Sequence, residues 1–264
     1  MGGCALGGLR RRAAGDVIWL LFAVAGAAAL YQLIALAAVL SHRRRTLERQ
    51  SAGFAVSVLK PVYGGHPGFY EAIRSHALQR HPEFEILFGI GRPDDPARPD
   101  IERLIQEFPA VPMRLVVCST QAPNAKVGSL IDLAREARYP ILIVNDSDIS
   151  VPPDYLERVT APLNDAGIGL VTCLYRAEAH DWPSRFEALA IATEFAPSTL
   201  VAPFFGVSEF GLGSTLAFRK ADLARTGGFE AIQDYLADDY QLGCKLHSLG
   251  LRNVISGKIG RAHV

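Results

Sequence analysis

The sequence predicts an α/β domain with a parallel β-sheet, preceded by one transmembrane helix. Two patterns favour this fold class. From about Phe54 onward, short apolar stretches rich in branched residues alternate with stretches of helical periodicity, which is typical of β-α-β units. Before them, residues 17–40 form an uncharged apolar run. At a rise of about 1.5 Å per residue, this run is long enough to cross a hydrocarbon core of about 30 Å.

Composition excludes several classes of protein. Hydrophobic residues make up 49% of the 264 residues and the formal net charge is +0, which argues against a disordered chain and gives no sign of a nucleic-acid partner. The four cysteines are scattered and include no C-x-x-C pair, so neither a zinc site nor a disulfide framework is indicated. A reducing compartment and a cytosol-facing domain fit this pattern.

The N-terminal region divides into a tail (residues 1–16), the transmembrane helix (residues 17–40) and a basic linker (residues 41–53). Basic residues flank both ends of the helix, with more of them after it than before it. The positive-inside rule therefore favours a single-pass helix that leaves the following domain in the cytoplasm. The alternatives are a cleaved signal peptide or a buried core helix, and the arginines could serve only to solubilise the helix ends.

The domain that follows is predicted to cover residues 54–257. Its predicted strands are Ala55–Leu59, Phe84–Phe88, Met113–Val117, Ile141–Asn145 and Gly169–Leu174. The predicted helices between them are Glu71–Gln79, Asp100–Phe108, Lys126–Ala137 and Asp154–Val159.

An Asp-x-Asp triplet directly follows the predicted strand Ile141–Asn145. Ligands of parallel sheets collect beyond the carboxyl ends of the strands, so Asp146 and Asp148 lie where a substrate would bind. Alternate residues of an extended segment point to the same side, so the two carboxylates can share one divalent cation. Hard oxygen ligands suit Mg²⁺ or Mn²⁺ carrying a diphosphate, which is the chemistry of a nucleotide-sugar site. The alternative is a solvated turn, because Asp and Ser favour turns.

The segment Ala196–Gly213 follows no clean period, because prolines and phenylalanines interrupt it. It suits a loop or a short interfacial helix near lipid, with ordinary core packing as the alternative. Its end, Gly211–Ser214, lacks the full phosphate-loop pattern and is expected to be a flexible approach to an acceptor site.

An ordered set of motifs resembles the ceramide glucosyltransferase family of membrane-bound, family-2-like glycosyltransferases. The resemblance runs from about Val56 to Gly250. Its motifs are Val56–Pro61, Asp94-Asp95-Pro96, Asn124-Ala125-Lys126, Asp146-Ser147-Asp148 and Ala237-Asp238-Asp239-Tyr240. Within it, Val171–Arg176 and Leu236–Gly243 look most like the bacterial branch associated with hopanoid biosynthesis.

The resemblance implies a GT-A fold, a UDP-sugar donor, a divalent cation (Mg²⁺ or Mn²⁺) and a lipid alcohol acceptor, ceramide or a hopanoid polyol, at the bacterial inner membrane. Lys60 and Pro61 would edge the uridine pocket, and Asp95 would contact the nucleotide base. Asn124 and Lys126 match an Asn-x-Lys element near the donor phosphates. Each of these residues also has an ordinary reading as a surface or turn residue.

The same resemblance assigns the reacting groups. Asp148 and Asp146 would hold the metal and the diphosphate, with Asp148 as the direct metal ligand. Asp239 would be the general base that takes the proton of the acceptor hydroxyl, and one base with in-line displacement predicts inversion at the sugar. Asp238 would support it. The alternative for both is a pair of acids stabilised by a helix N-terminus.

The C-terminal end departs from the family. Relatives continue past the base into a Gln/Arg-x-x-Arg-Trp element and further membrane helices, whereas this chain stops at Val264. Residues 258–264 match the translation of a common sequencing adapter, so we expect a non-native tail on a truncated chain of reduced activity. Two other functions stay open: a processive polysaccharide synthase and a non-catalytic nucleotide-binding membrane protein.

Overall fold

The structure is a computed structural model that describes residues 3–45, 53–179 and 181–263. Its first helix, α1, runs from Gly3 to Arg45 and contains the predicted span. α1 also takes in most of the predicted tail and the start of the predicted linker, while linker residues 46–52, including Arg49, lie outside the described residues. By length and composition, two helical stretches of the described chain could cross a membrane, Asp16–His42 and Trp182–Phe205.

In the described chain, eight strands form one sheet. They are β1 (Val56–Val62), β2 (Phe84–Ile90), β3 (Met113–Val117), β4 (Ile141–Val144), β5 (Ile149–Ser150), β6 (Ile168–Glu178), β7 (Leu216–Arg219) and β8 (Arg252–His263). Their order across the sheet is β3-β2-β1-β4-β7-β6-β8-β5. β8 includes residues 258–263, and the non-native origin of residues 258–264 stays a prediction.

Helices cover the sheet. After α1 they are α2 (Phe69–Ala77), α3 (Arg98–Glu107), α4 (Ala125–Glu136), α5 (Tyr155–Thr160), α6 (Trp182–Ala190), α7 (Ala196–Val201), α8 (Lys220–Arg225) and α9 (Asp238–His247). Every strand and helix predicted within residues 54–257 is present, with ends that differ by a few residues.

One half of the sheet is parallel and the other is mixed. β3, β2, β1 and β4 run parallel, as predicted. The prediction of a parallel sheet is wrong beyond β4, because the short strand β7 runs antiparallel between β4 and β6. Leu216, the first residue of β7, pairs with Val144, the last residue of β4. The loop that precedes β7 therefore lies at the same edge of the sheet as the Asp-x-Asp triplet.

The core has two layers, one on each face of the sheet. In β4, Ile141 and Ile143 pack with α2, α3 and α5 on one face, whereas Leu142 and Val144 pack with α4, α8 and α9 on the other. This alternation follows from the period of two in a strand. Because each fully buried aliphatic side chain contributes about 1.5–3 kcal/mol, the two layers fix the register of β4 and hence the position of the residues that follow it.

The segment Trp182–Phe205 is helical throughout. α6 continues through a π-helical turn (Ile191–Phe195) into α7 and a 3₁₀ turn (Ala202–Phe205). The prediction of a loop or a short helix over Ala196–Gly213 is therefore right only in part. Its first ten residues are helical, but they complete a longer helix that begins at Trp182. α7 packs against the C-terminal part of α1.

Candidate functional site

The site is built around Asn145, the first residue after β4. Its side-chain amide donates to the carbonyl oxygen of Ser214 at 2.8 Å and to Oγ1 of Thr215 at 3.2 Å. Its Oδ1 accepts from Nζ of Lys60 at 2.6 Å. Asn145 is fully buried. It therefore joins the ends of β1 and β4 to the loop that leads into β7.

Lys60 lies beneath the Asp-x-Asp loop. Its Nζ also donates to the carbonyl oxygen of Asp146 at 2.9 Å and lies 3.1 Å from Nε2 of His76. Complete burial lowers the pKa of Lys60 to about 7, against the opposing attraction of Asp146 and Asp148. The contacts of Lys60 hold the Asp-x-Asp loop in position. Pro61, the next residue, is half-buried. That these two residues edge a uridine pocket stays a prediction.

Asp95 connects two loops at the same edge of the sheet, beside the carboxyl end of β1. Its buried carboxylate accepts from the backbone N–H of Gly64 at 3.2 Å and from that of Ala97 at 2.9 Å. Gly64 follows β1 and Ala97 precedes α3. The structure thus places Asp95 beside the carboxyl end of β1, while its predicted contact with a base stays a prediction.

Asn124 is the N-cap of α4. Its Oδ1 accepts from the backbone N–H of Lys126 at 3.1 Å and of Val127 at 3.3 Å. Its side-chain amide donates to the carbonyl oxygen of Tyr235 at 2.9 Å. One side chain therefore both starts α4 and fixes the segment that leads into α9.

Lys126 lies among the acidic residues of the site. Its Nζ is 2.9 Å from Oδ1 of Asp146 and 3.6 Å from Oδ2 of Asp238. Burial works against the charge of Lys126, but Asp146, Asp238 and Asp239 together raise its pKa. A protonated amine is therefore held between the Asp-x-Asp loop and the start of α9.

The Asp-x-Asp pair offers oxygen ligands at a partly exposed position. Burial raises the pKa of Asp146, and the nearby Asp148 raises it further, against the attraction of Lys126. The described residues hold no group of three or more His, Cys, Asp or Glu side chains that could bind a metal by themselves. Two carboxylates fit Mg²⁺ or Mn²⁺, since such ions take one or two carboxylates and complete their shells with water and substrate phosphate.

Asp239 faces Asp146 across Gly213. A Cβ atom at Gly213 would lie 3.3 Å from Oδ2 of Asp239 and 3.4 Å from Oδ2 of Asp146. Two carboxylates from distant parts of the chain therefore border one small space that a glycine leaves open. Asp239 and Asp238 lie in the first turn of α9, where the helix N-terminus favours negative charge.

The loop Gly211–Ser214 is tightly held, so the expectation of a flexible segment is wrong. Oγ1 of Thr172 accepts from the backbone N–H of Leu212 at 2.9 Å and donates to the carbonyl oxygen of Thr215 at 3.0 Å. A Cβ at Gly211 would lie only 2.8 Å from the carbonyl oxygen of Asp239. Glycine is needed there for close approach rather than for mobility.

A cavity of about 810 Å³ lies between this loop and helices α1 and α7. Thr172 and Phe210 line it on the side of the loop, and Ala38 of α1, Leu200 of α7 and Phe204 line it on the side of the helices. None of the acidic residues of the site lines this cavity. It is a neighbouring space with mixed walls, because Glu157, Arg158 and Arg252 also line it.

Two residues of the site, Asn145 and His76, have no role in the prediction from the sequence. Asn145 enters it only as the last residue of a predicted strand, and His76 does not enter it. The signal for Asn145 is a polar residue at the end of a continuous apolar strand. The contact of His76 with Lys60 depends on the packing of α2 against the sheet, for which the sequence carries no local signal.

Comparison with known proteins gives a consistent result. The family model described as glycosyl transferase family 21 matches residues 17–264. Ceramide glucosyltransferase 1 of Caenorhabditis elegans is 30% identical over 205 residues, which are 76% of this chain and 44% of that protein. Ceramide glucosyltransferase 3 of the same organism is 27% identical over 260 residues, 95% of this chain and 56% of that protein. The chain thus spans about half the length of these relatives.

Solved structures share the fold. The mannosyltransferase PcManGT from Pyrobaculum calidifontis, in complex with GDP-Man and Mn²⁺, superposes with a TM-score of 0.64 at 21% identity over 88% of this chain and 68% of that one. S. aureus TarS 1-349 in complex with UDP-GlcNAc superposes with a TM-score of 0.55 at 16% identity, over 80% of this chain and 58% of that one. These likenesses confirm the GT-A fold, and the relatives confirm the resemblance to ceramide glucosyltransferases. The hopanoid-associated branch stays a prediction.

Proposed function

This chain belongs to glycosyl transferase family 21, and from that membership and the geometry of its site we propose that it transfers a sugar from a UDP-sugar to the hydroxyl group of a membrane lipid. The transfer inverts the anomeric carbon and gives a β-glycolipid from an α-linked donor. Glucose and N-acetylglucosamine are the candidate sugars, and ceramide and a hopanoid polyol are the candidate acceptors.

The observation that carries this proposal is the approach of Asp239 to Asp146 across Gly213. An acceptor hydroxyl in that space gives its proton to Asp239 while its oxygen attacks the anomeric carbon. The bond from that carbon to the diphosphate oxygen breaks, and UDP leaves with the electron pair. A single base on the acceptor side requires no covalent enzyme intermediate, and inversion follows.

The donor side is acidic and carries the half-buried amine of Lys126. Asp148 and Asp146 would hold Mg²⁺ or Mn²⁺, which neutralises negative charge on the departing diphosphate when it is bound. Lys126 adds a protonated amine near the same phosphates, and Asn124 fixes the start of the helix that carries it. Lys60 positions the loop of Asp146 from below, Asp238 pairs with Lys126, and Pro61 and Asp95 border the uridine.

The membrane part of the proposal rests on α1 and on the cavity beside the site. α1 exposes its apolar side chains over most of the predicted span, which is what a bilayer-facing helix requires. The cavity reaches from α1 and α7 to Phe210, next to the loop that contacts Asp239. Only the apolar side of this cavity, with Ala38, Leu200 and Phe204, suits a lipid tail, because Glu157, Arg158 and Arg252 line its other side. In the proposal, a lipid on the apolar side directs its hydroxyl toward Asp239, and the catalytic domain lies on the cytoplasmic side of the bacterial inner membrane.

The test is a transfer assay on membranes that contain this chain or a longer form with the Arg-Trp element. Each UDP-sugar is paired with each lipid acceptor, with and without Mn²⁺ or Mg²⁺. We expect a glycolipid whose formation depends on the cation and falls about 10²–10⁴-fold in Asp239→Asn, because the base is lost. Asp234→Asn, an exposed acid outside the site, is the matched control and keeps full activity.

The other outcomes contradict the proposal. A polymeric product would favour a processive synthase. UDP binding without transfer by a folded longer form would favour a non-catalytic binding protein.

A further inference from the structure

The helical segment Trp182–Phe205 exposes an apolar stripe. Trp182, Phe186 and Leu189 are 70%, 68% and 58% exposed, and they lie at positions i, i+4 and i+7 of one helix face. Thr193 continues the stripe, and its hydroxyl donates to the carbonyl oxygen of Leu189 at 2.8 Å. The one polar group of the stripe is therefore satisfied within the helix, as an apolar environment requires.

The opposite side of this helix faces the catalytic domain. At about 100° per residue, Ser184 lies almost opposite Trp182, and it is buried. Phe195, in the π-helical turn, packs on Tyr175 of β6 with ring centroids 5.9 Å apart. The exposed Glu187 and Glu194 lie between the two faces. The helix is thus amphipathic, with its apolar stripe pointing away from the domain.

Both ends of the helix are held on the same domain. β6 ends at Glu178, close before the helix begins. Phe210 follows Phe205 by five residues, and five residues of extended chain span at most about 18 Å. Phe210 belongs to the domain, since its carbonyl oxygen accepts from the side-chain amide of Asn253 at 3.4 Å. A helix of 24 residues is about 36 Å long, so the chain cannot cross a bilayer and return through this connection.

The helix lies level with the last turns of the candidate span in α1. Leu200 and Val201 of α7 form one buried cluster with Ala35 and Ala38 of α1. The span is predicted to end at Leu40, so α7 contacts α1 just inside the membrane boundary on the side of the catalytic domain. The helical segment that carries the apolar stripe therefore meets α1 near the predicted end of its span.

We propose that Trp182–Phe205 is not a second transmembrane helix but lies in the plane of the membrane, with Trp182, Phe186 and Leu189 embedded in the phospholipid leaflet on the side of the catalytic domain. Trp182 suits the interface, and the guanidinium of Arg185 lies over its ring at 5.3 Å, where it can reach the headgroups. Such a helix sinks about 5–10 Å into the boundary between headgroups and acyl chains. It would hold the cavity beside α7 against the leaflet.

The test measures depth by tryptophan fluorescence in phosphatidylcholine vesicles. The chain has two tryptophans, Trp19 and Trp182, so replacing both by Phe gives a tryptophan-free background. Single tryptophans are then placed at Phe186, Leu189 and Phe204 along the helix. Leu30→Trp in α1 marks the membrane centre, and Tyr63→Trp, at a position 93% exposed on the domain, marks water. Circular dichroism confirms that each variant is folded.

Lipids brominated at carbons 6 and 7 or at carbons 11 and 12 report shallow and deep positions. We expect the three helix positions to lose more fluorescence to the shallow bromines and Leu30→Trp to lose more to the deep ones. A depth at Leu189→Trp equal to that of Leu30→Trp would overturn the proposal in favour of a crossing helix. Quenching of the helix tryptophans by acrylamide in the water phase would also overturn the proposal. So would protection of these tryptophans from both acrylamide and brominated lipids by a second copy of the chain or another protein segment. The readout does not involve transfer activity, so it stands apart from the proposed function.

Discussion

At the scale of single residues, the space between Asp239 and Asp146 is the centre of the account. Two carboxylates would repel each other if nothing lay between them, and Lys126 neutralises only one side of the pair. In the proposed function, a substrate that brings a sugar and a hydroxyl group into this space would separate the charges and use both carboxylates. Gly213 keeps the space open because it has no side chain.

Gly213→Ala tests this directly. The added Cβ would lie 3.3 Å and 3.4 Å from the two carboxylates, so it displaces either the carboxylates or the acceptor. We expect the transfer rate to fall about tenfold to a hundredfold, because small errors in position carry such losses. Steady-state kinetics and thermal unfolding measure the effect. Gly26→Ala, where a Cβ meets no atom within 4 Å, is the matched control; equal activity of both variants would show that the space is not used.

At the scale of secondary structure elements, Asn124 couples α4 to the segment before α9. Asn124→Ala removes the cap of α4 and the bond to Tyr235, and we expect a loss of about 0.5–2 kcal/mol in the free energy of unfolding. Asn124→Asp keeps an oxygen for the cap but loses the amide donor. We expect Asn124→Asp to recover most of the thermal stability that Asn124→Ala loses. We expect its transfer rate to be about tenfold below that of the unmodified protein. Full transfer by Asn124→Asp would separate the segment before α9 from catalysis.

The elements also show where sequence reasoning works and where it stops. The parallel strands and their helices are predictable, because each carries its own period and its own breaks. β7 has four residues and no pattern of its own. It pairs antiparallel with β4 and β6, and Thr172 and Asn145 hold the loop before it. Asp146 and Asp148 are predictable from their place after a strand. The approach of Asp239 to Asp146 depends on the placement of Gly213 before β7 and on the start of α9, which no local pattern encodes.

At the scale of the whole molecule, the buried pair of His76 and Lys60 links the fold to pH. Burial, with the nearby charge of Lys60, lowers the pKa of His76 well below its ordinary value. Its Nδ1 is buried and, within the part of the chain that the structure describes, has no hydrogen-bond partner. The unfolded chain binds the proton near pH 6.5, before the folded protein does, so stability is full above that pH and falls as the pH drops below it.

His76→Gln should make thermal stability less dependent on pH. For the unmodified protein, His76 contributes a loss of about 1.4 kcal/mol in the free energy of unfolding per pH unit below about pH 6.5. We expect the melting temperature to fall less between pH 7.5 and 5.5 in the variant than in the unmodified protein. His247→Gln, on the exposed side of α9, should leave the slope unchanged. An unchanged slope in His76→Gln would remove His76 as its source.

The measurement that tests the central claim most directly is the anomeric configuration of the glycolipid formed from an α-linked UDP-sugar. Proton NMR of the purified product distinguishes the two anomers by the coupling constant of the anomeric proton. One base, Asp239, acting on the acceptor across Gly213 predicts the β-anomer. An α-anomeric product would contradict the account, because it would require a different arrangement of reacting groups from the one built by Asp239 and Asp146.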